Sequence, residues 1–263
     1  MIQITKNPEP QILIDNKATW TSDLLSLVAR YGSYAKIPDA KKNAALAPYS
    51  HKDIIDALNS PDGSAKCVYC ESYVRVTSYL NVEHLHPKSL YPKEAFEWDN
   101  LFVGCTCCNG KKLNFDTAKE PFINPLVEDP EDLLTYNGVM IIPKSSDPNS
   151  IEYKKAWNVI NRIDLNRSLS NISIGFSNVE GALIEKINRY KSLKQKARKL
   201  QIAGDILISI NDLNLQASEH KQYAGYMRYL LRGSIYVKEA VDIINSHSAD
   251  LGVPAPYPWR FKY

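Results

Sequence analysis

The apolar positions of this chain follow helical spacing near both ends and gather into short β-rich runs in the middle. Leu24, Leu25, Leu27 and Val28 come after Thr21-Ser22-Asp23, which predicts a helix capped at that point. A second helix is expected over residues 50–58, with Ser50 as N-cap and Ile54, Ile55 and Leu58 on one face. It stops at Asn59-Ser60-Pro61-Asp62-Gly63, a dense turn signal. Residues 73–76, 79–85 and 101–103 have the β-branched and aromatic content of short strands. Residues 87–97 form a loop with one helical turn, and a helix is expected from Asn109, carrying Lys111, Lys112 and Asp116. Further on, Asn137-Gly138 between apolar residues predicts a hairpin over 133–142. From 151 the pattern is helical. Leu183, Ile187, Tyr190, Leu193, Ala197 and Leu200 recur three and four apart, as one amphipathic helix would require. Residues 219–245 predict another helical stretch, interrupted by Gly225 and Gly233, and the prolines at 254, 256 and 258 exclude regular structure in the tail.

This pattern divides the chain into an N-terminal arm with short helices (1–66), a central segment (67–120), an irregular stretch with a hairpin (121–150) and a helical region (151–263). At 23% charged and 44% hydrophobic residues, the composition is that of a globular protein rather than a disordered one. Neither a membrane-length apolar run nor a secretory leader is recognisable, so a cytoplasmic location is the default expectation. The net charge of +3 is too small to argue nucleic-acid binding. Its distribution says more. Residues 181–201 hold seven basic side chains (Lys186, Arg189, Lys191, Lys194, Lys196, Arg198, Lys199) against Glu185 alone. That stripe suits a phosphate backbone, an acidic partner surface or plain solvent.

All five cysteines lie between positions 67 and 108, and a disulfide framework would spread them along the chain. Cys67-x2-Cys70 and Cys105-x2-Cys108 have the paired spacing of one tetrahedral zinc site. Four thiolates close the shell and leave no position for substrate, so this zinc is expected to be structural. Cys107 is a bystander. Between and after the pairs stand Glu83-His84, Asn100 and Asn109. Phosphodiester hydrolysis needs a base for water and a cation on the scissile phosphate. His84 suits the base, Glu83 and Asn109 offer hard oxygens to Mg²⁺ or Mn²⁺, and Asn100 is placed to hold the loop. His86, Lys88 and Lys112 are candidate substrate contacts. Neighbouring side chains on a strand point to opposite faces, so Glu83 and His84 can share a site only at a strand end or twist.

The run Glu83-His84-x2-Pro87-Lys88, then Asn100, then Cys105-x2-Cys108-Asn109-x2-Lys112 resembles the HNH, or ββα-metal, endonuclease family in a zinc-stapled H-N-N form. The resemblance implies an α+β fold: a small zinc-stapled ββα-metal nuclease core embedded in a mainly α-helical protein. It implies His84 as general base, Glu83 and Asn109 as ligands of one catalytic divalent cation, and Asn100 as an architectural residue. Fainter similarity at Ile123-Asn124-Pro125, Glu128-Asp129-Pro130-Glu131 and Asp164-Leu165-Asn166-Arg167 extends to a bacterial anti-phage subgroup. That subgroup includes the Septu nuclease subunit and a retron-associated relative. For such a nuclease the implied partners are DNA, with RNA as an alternative, and an SMC-like ATPase subunit. This chain has no phosphate-binding glycine loop with lysine and is not itself that ATPase. The alternative reading is a non-catalytic zinc module that docks on a partner protein or nucleic acid, which would need none of Glu83, His84 and Asn109.

Overall fold

The computed structural model describes residues 1–59, 65–74 and 81–258. The fold is α+β, with two small antiparallel sheets among helices. The chain forms two units: Met1–Thr135 with Ile141–Asn166, and Tyr136–Met140 with Arg167–Tyr263.

In the first unit, α1 (Gln11–Tyr31), α2 (Asp39–Leu46) and α3 (Lys52–Leu58) precede the central segment. Helix α1 begins ten residues before the expected cap. Pro10 stands at its N-terminus and Gly32, at φ +78°, ends it. Leu13 is fully buried, so the apolar stripe already runs through the first turn, while Ser22 and Asp23 sit mid-helix and exposed. Cap preference is a weak signal beside a buried face. Helix α3 likewise starts at Lys52, because His51 Nδ1, rather than Ser50, accepts the Asp53 N–H.

Strand β1 (Asn81–His84) pairs antiparallel with β2 (Leu101–Gly104), with Glu83 opposite Phe102 and His84 opposite Leu101. Tyr73 forms an isolated bridge with Lys66, and residues 75, 76, 79 and 80 of the expected strands lie outside the described residues. Helix α4 runs from Thr106 to Lys112, three residues ahead of the expected start at Asn109, and Asp116 lies beyond it. The early start follows from Cys105, whose sulfur accepts the Cys108 N–H and serves as N-cap. The sheet lies on the N-terminal helices through a shared core of Leu13, Leu24, Ile54, Val82, Phe96, Trp98 and Leu101. Lys6 is tied into this packing: its ammonium donates to the Trp98 and Leu101 carbonyls and sits 3.7 Å from the centre of the Trp98 ring. Helix α5 (Pro130–Leu133) leads into the hairpin β3 (Leu134–Asn137) and β4 (Met140–Pro143), where Gly138 takes φ +60° as the Asn-Gly signal predicted. Helix α6 (Ile151–Ile163) braces α4: Lys111 pairs with Asp164 at 3.5 Å, and Arg162 stacks over Phe115.

The second unit holds α7 (Ser170–Ser192), α8 (Lys196–Gln216), α9 (Ala224–Gly233), α10 (Ile235–Ser246) and the short α11 (Ser248–Leu251). The single amphipathic helix expected across 183–200 is two helices meeting at residues 193–195. Both helices bury their stripes in one core with Leu183, Ile187, Ile206 and Ile244, so the apolar period continues through the turn without a glycine or proline to mark it. Gly233 does end a helix, and Ser234 caps the next by accepting the Val237 N–H. The basic stripe spans that turn. Lys191 pairs with Glu239 and Lys186 donates to Ser209, while Arg189, Lys194, Lys196 and Arg198 carry no side-chain partner among the described residues. No helix among the described residues is long and apolar enough to cross a membrane.

Candidate active site

The two cysteine pairs come together as their spacing requires. The sulfurs of Cys67, Cys70, Cys105 and Cys108 all lie within 4.8 Å of one another, and Cys70 and Cys105 are 3.8 Å apart. A tetrahedron with Zn–S bonds of about 2.3 Å has edges of about 3.8 Å. The donor set therefore fits zinc, with all four positions taken by protein. The first pair sits on a tight turn closed by Glu71 N–H on the Cys67 carbonyl and Cys67 N–H on the Ser72 carbonyl, with Glu71 at φ +61°. The second pair opens α4. Hydrogen bonds from Cys105, Cys108 and Cys67 hold the Cys70 thiol well below its usual range, and burial pushes Cys67 up. Four such sulfurs share negative charge poorly, and a cation at their centre removes that conflict. Cys107 is exposed and outside the cluster.

Beside this knuckle lies a cavity of about 180 Å³ between the end of β1, the loop after it and α4. Glu83, His84, Lys88, Asn109 and Lys112 all line it. The strand ends at His84, so the backbone leaves its pleat just where two adjacent side chains must serve one space. Glu83 is 2% exposed, and its Oε1 accepts from the Tyr69 hydroxyl at 3.0 Å and the Lys112 ammonium at 2.7 Å. Among the described residues Oε2 accepts no hydrogen bond, so it could hold a cation. Asn109, one residue past the last cysteine of the cluster, presents a side-chain amide with no partner among the described residues. Gly104 makes the close packing possible, since a Cβ there would stand 2.8 Å from Glu83 Cβ.

His84 is 3% exposed, with Nε2 at 3.0 Å from the Ala95 carbonyl. A carbonyl only accepts, so Nε2 carries the proton and Nδ1 keeps its lone pair. Nδ1 is buried and has no partner among the described residues. An orphaned buried acceptor costs about 1–3 kcal/mol. Burial, with Lys88 and Lys112 nearby, pushes the imidazole down to about 3, so it is neutral near pH 7. Edge-on contact with the Tyr49 ring at 5.4 Å fixes its plane.

Asn100 crosses the loop. It accepts from His86 N–H at 2.7 Å and donates to the His86 and Glu94 carbonyls at 3.1 and 3.0 Å. Those three bonds hold the segment whose Ala95 carbonyl sets the His84 tautomer. The candidate substrate contacts separate. Lys112 is buried, held by Glu83 and by the His84 carbonyl at 2.7 Å. Lys88 lines the cavity with its ammonium in no ion pair among the described residues, and burial lowers its pKa. His86 instead pairs with Glu94 at 2.6 Å and is not part of the cavity wall. The sequence pattern did not single out Tyr34, Tyr49, Ser89, Leu113 or Asn114. Two come from helical segments far from the cysteines, and no spacing rule links them to the site. Burial raises Tyr34, a wall residue, to about 12.

Residues 67–115 match the HNH endonuclease family, and the chain carries that domain. The chain is 34% identical over 132 residues to the Septu protein PtuB of Bacillus thuringiensis, covering 49% of this chain and 44% of that protein. It is 32% identical over 173 residues to a Septu protein PtuB of Bacillus mycoides, covering 54% of this chain and 57% of the relative. The chain thus spans about half the length of the curated relatives it matches.

Proposed function

We propose that this chain is a metal-dependent endonuclease that hydrolyses phosphodiester bonds in DNA, acting as the nuclease effector of an anti-phage defence system under the control of a separate ATPase subunit. The observation that carries the chemistry is His84 Nδ1, a buried lone pair with no partner among the described residues, on a residue whose cavity also holds Glu83 and Asn109. A divalent cation held by Glu83 Oε2 and the Asn109 amide would stabilise charge on the phosphate and the leaving oxygen. His84 takes the proton of the attacking water at Nδ1 while Nε2 stays bonded to Ala95. Water oxygen bonds to phosphorus as the P–O bond to the leaving oxygen breaks. Lys88 holds a phosphate oxygen at the mouth, and Lys112 keeps Glu83 oriented without touching substrate. DNA as substrate and a place in defence are supported by the HNH match and by the similarity to Septu PtuB proteins. Control by an ATPase rests on the resemblance alone.

The test is nicking of plasmid DNA with Mg²⁺ or Mn²⁺, with zinc content and melting temperature measured alongside. His84→Ala is expected to lose about 10²–10⁴ in rate while keeping its zinc. Equal nicking by the variant and the parent would remove His84 from the reaction. A non-catalytic zinc module has no use for an unpartnered imidazole in a cavity, which favours the enzyme.

A further inference from the structure

Leu113 ends α4 in an unusual way. Its backbone stands at φ +48° and ψ −124°, and its side chain is 70% exposed. A residue with positive φ just past a helix is ordinarily glycine, which adopts it without a Cβ clash. A leucine there incurs strain and gains no burial in return. The surroundings nevertheless enforce it. Leu113 N–H donates to the Asn109 carbonyl and Phe115 N–H to the Lys112 carbonyl, both at 3.0 Å. Asn114 Oδ1 accepts from the Ser89 hydroxyl and Asp116 from the Tyr91 hydroxyl, both at 2.7 Å. So the segment is pinned on each side of a leucine that points to solvent. Strain held this firmly marks a site of function more often than an accident of packing.

Its position suggests what the side chain meets. Leu113 lines the same cavity as His84, Lys88 and Asn109. We infer that Leu113 is an apolar wedge that enters the base stack of duplex DNA beside the scissile phosphate. The inference rests on the nuclease reading and goes one step further, to how the duplex is shaped. Leucine is among the side chains that part base steps when inserted from the minor groove, kinking the duplex. A phosphate held at the Lys88 and Asn109 wall leaves its flanking bases facing the cavity rim, where Leu113 stands. A single exposed leucine is small for a protein interface but the right size for one base step. Kinking would expose the backbone to in-line attack by the water that His84 activates.

The experiment uses the chain carrying His84→Ala, so that binding is read without cleavage, and short duplexes with 2-aminopurine at several adenine positions. Binding is expected to raise the fluorescence as a step unstacks. Adding Leu113→Gly should abolish that rise and weaken binding to the paired duplex about tenfold, whereas Leu113→Met should keep both. A mismatch that already loosens the step should restore binding to the glycine variant. Glycine suits φ +48° better than leucine, so melting temperature should hold or rise, and a purely structural role for Leu113 would leave binding intact. Binding without a fluorescence rise, or a glycine variant that binds paired and mismatched duplexes as the leucine protein does, overturns the wedge alone. Nicking by the chain with His84 intact tests the nuclease reading separately: no nicking overturns that reading, whereas nicking without a fluorescence rise overturns the wedge alone.

Discussion

The zinc knuckle and the cavity beside it are built from adjoining residues and differ in one respect, the state of their polar atoms. In the knuckle four sulfurs face one another, and Cys105 also caps α4. A cation there completes a closed shell. In the cavity Glu83 is half-committed to Lys112 and Tyr69, Asn109 has no partner among the described residues, and His84 Nδ1 is buried without one. On the proposed reading the first cluster serves folding and the second keeps its donors for a ligand. Two metal-type environments with one ligand sequence between them can therefore be told apart by counting which donors are already spent.

The widest separation between the two should come from cutting the knuckle. Cys105→Ala removes a zinc ligand and the helix cap together. It is expected to release the metal and unfold the central segment, since structural zinc contributes about 10 kcal/mol or more in small sites. Zinc quantitation and circular dichroism would check it, and a folded, zinc-free protein would break the comparison. Asn100→Ala comes next. It deletes three hydrogen bonds across the loop, about 1 kcal/mol each, and frees the carbonyl that sets the His84 tautomer. Melting temperature and nicking rate should both fall with zinc retained.

Gly104→Ala acts on the cavity alone. The new methyl must push Glu83 aside, with a stability cost of about 1–3 kcal/mol. The divalent-cation concentration for half-maximal nicking should rise, and an unchanged cation titration would take Glu83 out of the metal site. Lys88→Ala should have the smallest effect. Stability stays close to the parent, DNA binding weakens, and the salt dependence of binding loses about one unit of slope. An unaltered slope would place the Lys88 ammonium off the phosphate.

Sequence carried the ββα unit well because it is local. Cys-x2-Cys spacing puts two sulfurs on one turn, and a strand, a loop, a strand and a helix follow within fifty residues. The helix limits were less legible. Apolar stripes on α7 and α8 run in phase across residues 193–195, so period alone could not see the turn. Thr21-Ser22-Asp23 read as a cap although Leu13 is buried a full two turns earlier. At the site, the residues that the chain brings from elsewhere were invisible. Tyr49 reaches His84 from a segment before α3, and the Ala95 carbonyl contributes through its backbone, which no side-chain pattern encodes. Lys88 and Lys112 are equal candidates for substrate contact in the sequence. Only packing separates the one facing the cavity from the one locked on Glu83.

The place of Cys105 has a consequence for the protein's biogenesis. Its sulfur caps the helix whose first turns carry Cys108 and, next to it, Asn109. Metal capture, helix nucleation and placement of the Asn109 amide are then a single event. On the proposed reading, a newly made chain without metal at its four cysteines would lack the surface on which a second cation would sit, and would be inert toward nucleic acid. On that reading metal supply would be a licensing step, with maturation rather than later inhibition setting the earliest moment at which the protein could act.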